Sequence, residues 1–169
     1  RLFCLENTHN LSGGRVIPVD LHAELCGIAH ERGLAVHLDG ARIFNAAIAA
    51  GVAPTAYTRH VDSVMFCLSK GLSCPLGSVL CGSRDFIARA DRARKRIGGG
   101  MRQAGVIAAA GIVALERMVD RLADDHRTAR LLAALLADLP RVRVAPGVET
   151  NMVHLAHAPA GLSHPEFLA

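Results

Sequence analysis

The sequence predicts an α/β fold: a mostly parallel sheet with flanking helices, followed by the start of a smaller α+β domain. Three observations carry this. In the first half of the chain, short apolar runs of β type alternate with segments of helical periodicity, the rhythm of βαβ units whose strands lie side by side and parallel. The last two such runs are joined through the short Pro75-Leu76-Gly77 link, too short for a crossover, so at least one neighbour is antiparallel. Beyond Gly100 the pattern changes to a long helical stretch and then to two short strand-like runs, which marks a second unit.

The elements follow in order. Arg1 to Leu5 is an apolar strand, ended by the polar cluster Glu6-Asn7-Thr8-His9-Asn10 and a Gly13-Gly14 turn. Pro18 and Asp20 introduce a helix, with Asp20 as N-cap, Leu21, Leu25, Ile28 and Ala29 at helical spacing, and Gly33 as the stop. Leu34 to Leu38 is the second strand. Arg42 to Ala50 reads as a helix ended by Gly51, Val61 to Leu68 as the third strand, and Ser78 to Cys81 as a short fourth. Arg84 to Ile97 is a basic amphipathic helix that Gly98-Gly99-Gly100 breaks. Met101 to Leu139 is helical, as one helix or two, until Pro140 ends it, and Arg141 to Ala145 and Asn151 to Ala156 are small strands. These runs divide the chain into a large domain over 1–118 and the beginning of a small C-terminal domain over 119–169. The first residues form an apolar run without an initiator Met and the last read as a helix just starting, so both ends are expected to be cut and any site incomplete.

Composition narrows the function. Apolar residues are 51% and charged residues 20% of the chain, a globular balance. The net charge of +4 is spread among acids, and one Tyr with no Trp leaves little to stack bases on, which argues against nucleic acid as partner. Ala104 to Leu115, the longest stretch without charge in the second half, falls far short of the roughly 20 residues of a membrane span. Five cysteines lack C-x-x-C spacing, and four lie in apolar runs, as buried thiols of a reducing compartment such as the cytoplasm do. The histidines show no H-E-x-x-H spacing, so no metal site is expected.

Asp39 and Lys70 are the residues that point to chemistry. Each sits where an apolar run gives way to glycine, in His37-Leu38-Asp39-Gly40-Ala41-Arg42 and in Ser69-Lys70-Gly71. Ligands of open α/β sheets gather beyond the carboxyl ends of the strands, where both fall. Only two of the nineteen basic side chains are lysines, Lys70 and Lys95, so Lys70 is no arbitrary surface cation. With Met65-Phe66-Cys67-Leu68 before it and Leu72, Cys74, Pro75 and Leu76 after it, its amine is expected in partly apolar surroundings, where a lysine becomes nucleophilic toward a carbonyl. A lysine for a Schiff base and an aspartate to keep a pyridine nitrogen protonated are what pyridoxal 5'-phosphate requires. The competing role for Asp39 is to cap the helix near Arg42, although its side chain shares a strand face with His37, which is either its partner or a core histidine. Arg42, three residues on, brings a planar fork suited to carboxylate or phenolate, and Arg102, just past the glycine triplet, stands where a helix start can receive phosphate.

With these residues in hand, the chain resembles the low-specificity L-threonine aldolases among the fold type I pyridoxal-phosphate enzymes, the aminotransferase-like superfamily. The resemblance is carried by Leu5-Glu6-Asn7-Thr8-His9-Asn10, by HLDGARIFNA from His37 to Ala46, by SVMFCLSKGL from Ser63 to Leu72, by PLGS from Pro75, by GGGMRQAG from Gly98 and by Thr150-Asn151-Met152. It implies that Lys70 carries the cofactor as a Schiff base, that Asp39 pairs with the pyridine nitrogen, and that Arg42 lies near the cofactor's 3-oxygen and the substrate carboxylate. It also implies that Arg102 reaches phosphate, in a neighbouring subunit of a dimer of dimers, and that Glu6, Asn7, Thr8 and His9 line the cavity. The activity implied is cleavage of L-threonine or L-allo-threonine, an amino-acid substrate, to glycine and acetaldehyde. The phosphate-binding glycine-threonine turn and the ring-stacking histidine of such enzymes lie before Arg1, a carboxylate-binding arginine lies after Ala169, and Ser73-Cys74 stands where an Ala-bearing segment is common. Two other readings share the Asp and Lys: a β-eliminating lyase or serine hydroxymethyltransferase-like enzyme, and a non-catalytic pyridoxal-phosphate-binding domain.

Overall fold

The computed structural model describes residues 1–140 and 142–157. Four strands, β1 (Leu2–Glu6), β2 (Ala35–Asp39), β3 (Ser63–Cys67) and β4 (Ser78–Gly82), form one sheet in that order. β1, β2 and β3 are parallel and β4 is antiparallel to β3, as the alternation and the short link require. Register places Glu6 opposite Asp39 and Asp39 opposite Met65, so three carboxyl ends arrive at one edge.

The two faces of the sheet differ. Phe3, Leu5, Val36, Leu38, Val64 and Phe66 point to the side covered by α1 (Val19–Glu31), α2 (Ile43–Ala50), the short α3 (Thr55–Thr58) and α5 (Gly105–Arg117). Cys26 and Ala29 of α1 close on Val36, while Ile43 and Ala46 of α2 and Tyr57 of α3 close on Leu38. Each large side chain removed from water this way contributes about 1.5–3 kcal/mol, more than any exposed ion pair at about 0–1 kcal/mol. The other face, which carries Leu2, Cys4, His37, Asp39 and Leu80, is open: Leu2 is 59% and Leu80 41% exposed.

α4 (Arg84–Arg96) buries no residue, and its N-cap Ser83 accepts from the Phe86 amide at 3.2 Å. The predicted helical stretch after Gly100 is two helices, α5 and α6 (Leu122–Ala137), broken at Met118 to Arg121. The break turns the chain so that Leu122 can plug a cluster made by Leu68, Leu72, Cys74 and Ala114. α1 starts one residue before Asp20, with Pro18 rather than Asp20 at the N-cap, and Arg42 is the N-cap of α2 rather than its first residue. α3 escapes the periodicity argument because four residues are too few to show a period.

The last strands, β5 (Arg143–Val144) and β6 (Leu155–His157), are shorter than the runs that predict them and pair antiparallel. The segment expected to extend as a strand from Asn151 is used differently. Thr150 is buried and its Oγ1 donates to the Gly14 carbonyl at 2.8 Å, while the Glu149 carboxylate accepts from the Val16 amide at 2.8 Å and pairs with Arg15. This clasp ties the segment to the loop that follows β1.

Candidate active site

Asp39 ends β2 on the open face, on the same side as His37. Its Oδ1 accepts from the Ala41 amide at 3.0 Å, bracing the turn toward α2 without capping any amide of that helix. His37 is not its partner: Nδ1 of His37 lies 2.8 Å from Ser63 Oγ on the neighbouring strand.

Arg42, three residues beyond, is half-buried, and its Nε is buried without an acceptor among the described residues. An orphaned buried donor costs about 1–3 kcal/mol, so this guanidinium is set for an oxygen that the described residues do not provide. Thr8 Oγ1, at the end of β1, is buried and unpartnered in the same way. Asn7 behaves otherwise. Its Oδ1 accepts from the Ile17 amide at 3.2 Å, its Nδ2 donates to the Ile17 carbonyl at 3.3 Å, and its own amide donates to the Asp39 carbonyl at 3.0 Å. Tyr57 Oη donates to the same Ile17 carbonyl, so Asn7 fixes the loop rather than offering its amide to a ligand. Glu6 accepts from the Asn10 amide and stands 3.6 Å from His9 Nε2.

Lys70 lies in the turn between β3 and β4, held where Leu68 donates to the Gly77 carbonyl and Cys74 to the Leu68 carbonyl. It is exposed, contrary to the apolar setting expected of it, because Leu68, Leu72 and Cys74 turn inward to the core and leave residue 70 on the outside. The turn is nonetheless tightly seated. A Cβ on Gly71 would lie 2.5 Å from Leu122 Cδ2, so any larger residue there must displace the Leu122 side chain. Arg102 is exposed in the turn before α5 and makes no ion pair or hydrogen bond among the described residues. Asp39 and Arg42 thus stand at and just beyond the carboxyl end of β2, Lys70 beyond that of the parallel strand β3, and Arg102 on a separate turn.

Sequence reasoning passed over a buried pair behind this edge. Asn45 Nδ2 donates to His126 Nε2 at 3.0 Å, both residues being almost fully buried. Burial chiefly, and Arg130 after it, hold the His126 pKa below the ordinary histidine value, against the pull of Asp125. The signal was present: Asn45 is the one polar residue in the α2 sequence IFNAAIAA.

By their chemistry these residues fit a planar anionic cofactor with a ring nitrogen: a carboxylate and an unsatisfied guanidinium donor at the end of β2, and an exposed amine after β3. Fold and site together define an α/β chain with a ligand edge of this type at the carboxyl ends of its parallel strands. The beta-eliminating lyase family matches residues 1–158, and the chain belongs to that family. It is 49% identical over 156 residues to low-specificity L-threonine aldolase 1 of Arabidopsis thaliana, covering 92% of this chain and 44% of that protein. It is 51% identical over 138 residues to the low specificity L-threonine aldolase of Escherichia coli strain K12, covering 82% of this chain and 40% of that one. A solved structure from Exiguobacterium sp. 255-15 superposes with a TM-score of 0.83 at 27% identity, over 90% of this chain and 43% of its own. The chain thus spans less than half the length of these relatives.

Proposed function

We propose that this chain holds the lysine, aspartate and arginine of a pyridoxal 5'-phosphate-dependent aldolase that cleaves L-threonine or L-allo-threonine to glycine and acetaldehyde. The observation that supports the proposal is the position of Asp39, Arg42 and Lys70 at or just beyond the carboxyl ends of parallel strands, the Arg42 Nε lacking an acceptor among the described residues. The likeness to two named threonine aldolases supports the choice of substrate.

The bound cofactor supplies an electron sink for the pair left on Cα when the Cα–Cβ bond breaks. Lys70 would supply the amine that holds the cofactor. Asp39 would supply the anion that favours a protonated ring nitrogen, by a charge-assisted hydrogen bond stronger than a neutral one. Arg42 would use its fork to bind cofactor and substrate oxygens, a substrate carboxylate among them, and so help orient the bond to be broken. Arg102 reaches the phosphate of a neighbouring subunit in a dimer of dimers, and the base that takes the β-hydroxyl proton comes from elsewhere in the assembly. The division of the chain near Met118, with the cofactor held by 1–118, and a place in the cytoplasm belong to the same reading.

The test is direct. The purified protein should absorb in the visible with pyridoxal phosphate, and Lys70→Ala should abolish that band. Borohydride reduction followed by peptide mapping should put the label on Lys70; a label on Lys95 ends the proposal. Acetaldehyde and glycine should appear from L-threonine. Elimination products instead would move the protein to the β-eliminating lyases, and a visible band without turnover would make it a binding domain.

A further inference from the structure

Beneath the lysine turn lies a buried polar pair that joins α2 to α6. Asn45 lies one helical turn beyond Arg42 on α2, and its amide donates to His126 of α6 at 3.0 Å, each residue being 3% exposed. The other end of that amide faces the lysine turn: a Cβ on Gly71 would lie 3.7 Å from Asn45 Oδ1, 3.7 Å from Asp125 Oδ2 and 2.5 Å from Leu122 Cδ2. Residue 71 therefore rests on α6 and on the Asn45 amide at once, with Lys70 directly attached. Asp125 is itself held, its Oδ1 accepting from Arg121 at 3.2 Å.

A buried amide–imidazole bond is a poor way merely to join two helices. Apolar residues of the same volume pack without the desolvation that two polar groups incur, whereas a fully satisfied polar pair fixes one relative position and register. Here the register it fixes is that of α6 against α2 under the turn. Nε2 accepts from Asn45, so the imidazole is the neutral tautomer with its proton on Nδ1.

We propose that Asn45 and His126 are positioning residues: their hydrogen bond locks α6 to α2 beneath the Lys70–Gly71 turn and thereby sets the Lys70 amine relative to Arg42. The inference rests on the roles given above to Lys70 and Arg42.

The experiment compares Asn45→Ala, His126→Ala, the double variant and His126→Gln with the unaltered protein. Pyridoxal phosphate is titrated by its visible absorption, and the unfolding midpoint in urea is measured without cofactor. Each alanine variant should raise the cofactor dissociation constant by about tenfold, the scale of one hydrogen bond with a buried partner left behind. The double variant should be no worse than either single one, because the two side chains act as a unit. His126→Gln, whose carbonyl oxygen can accept from Asn45, should recover most of the affinity. A dissociation constant that stays within twofold while the urea midpoint falls would reduce the pair to ordinary packing and overturn the proposal, as would additive losses in the double variant. Should His126→Ala fail to fold, Asn45→Ala and His126→Gln decide the matter by the same criterion. Borohydride labelling of the unaltered protein keeps the two levels apart: a label away from Lys70 ends the assignment of Lys70 itself, whereas a label on Lys70 with unmoved affinities ends only the positioning role.

Discussion

Gly71→Ala is the sharpest perturbation the Lys70 turn allows. Gly71 is not among the glycines held at positive φ, so alanine meets no backbone obstacle there. Its Cβ would instead stand 2.5 Å from Leu122 Cδ2, where carbon atoms at rest keep about 3.5–4.0 Å. Leu122 is 1% exposed and wedged among Leu68, Leu72, Cys74 and Ala114, so it has little room to retreat. Overpacking of this kind costs about 1–3 kcal/mol. Leu122→Ala alone should cost about 2–5 kcal/mol through lost burial and the cavity left behind. Combined, the new methyl occupies part of that cavity, so the double variant should be more stable than the sum of the two changes by about 1–3 kcal/mol. Urea unfolding followed by circular dichroism on all four proteins completes the cycle, and pyridoxal phosphate affinity shows whether Lys70 moved with its neighbour. A Gly71→Ala loss below about 0.5 kcal/mol, the range of an ordinary surface substitution, would refute the reasoning, and so would strict additivity.

Other outcomes follow from the same structure. Asp39→Asn preserves shape and the bond to Ala41 but removes the anion opposite the ring nitrogen; losing a charge-assisted bond worth about 1.5–3 kcal/mol should lower turnover of L-threonine at least about tenfold, and near-normal turnover would leave Asp39 only its role in the turn. Arg102→Ala should weaken cofactor binding more than it alters the visible spectrum and make cofactor loss depend on protein concentration; equal affinity at every dilution would make Arg102 an ordinary turn residue. His22 is fully buried with Nε2 at 3.2 Å from the Tyr57 carbonyl, and burial holds its pKa below the ordinary 6.5. The folded chain thus refuses a proton that the unfolded chain accepts, so the stability His22 contributes is complete above pH 6.5 and is lost as pH falls toward its folded value. The slope is at most about 1.4 kcal/mol per pH unit for each such site. Urea midpoints measured from pH 7.5 to 5 should fall for the unaltered protein and fall less steeply for His22→Gln; identical slopes would contradict the assignment.

What the sequence could disclose depended on the range over which each signal acts. Alternation of strand and helix is local, and so are the glycine stops, which is why the sheet, its antiparallel partner and the stops at Gly33 and Gly51 could be read directly. That Asp39, Arg42 and Lys70 fall at strand ends or just beyond them was legible for the same reason, and the parallel order of β1 to β3 puts those ends at one edge of the sheet. The exposure of Lys70 was not legible, because the apolar residues around it in sequence point away from it in space. Nor was the Asn45–His126 bond, whose partners are 81 residues apart and whose meeting depends on how α6 turns back after α5. The strand expected from Asn151 is found only from Leu155, because just before it Thr150 is held by the Gly14 carbonyl, and tertiary pairing overrode local preference.

The clasp between the loop after β1 and Glu149–Thr150 bears on the order in which the molecule assembles. Its bonds join residues 133 to 136 apart in the chain, whereas the Lys70 turn is closed by the adjacent strands β3 and β4, with Cys67 paired to Ser78. Closing a long loop costs more chain entropy than closing a short one, and contacts distant in sequence form late. The lysine turn can therefore close its own bonds while little of the chain is available, but the Gly14–Val16 end of the loop after β1 lacks its clasp until residues near 150 have arrived. Pulsed hydrogen exchange during refolding should find the Leu68 and Cys74 amides protected before that of Val16; simultaneous protection would mean that the whole edge forms in one step.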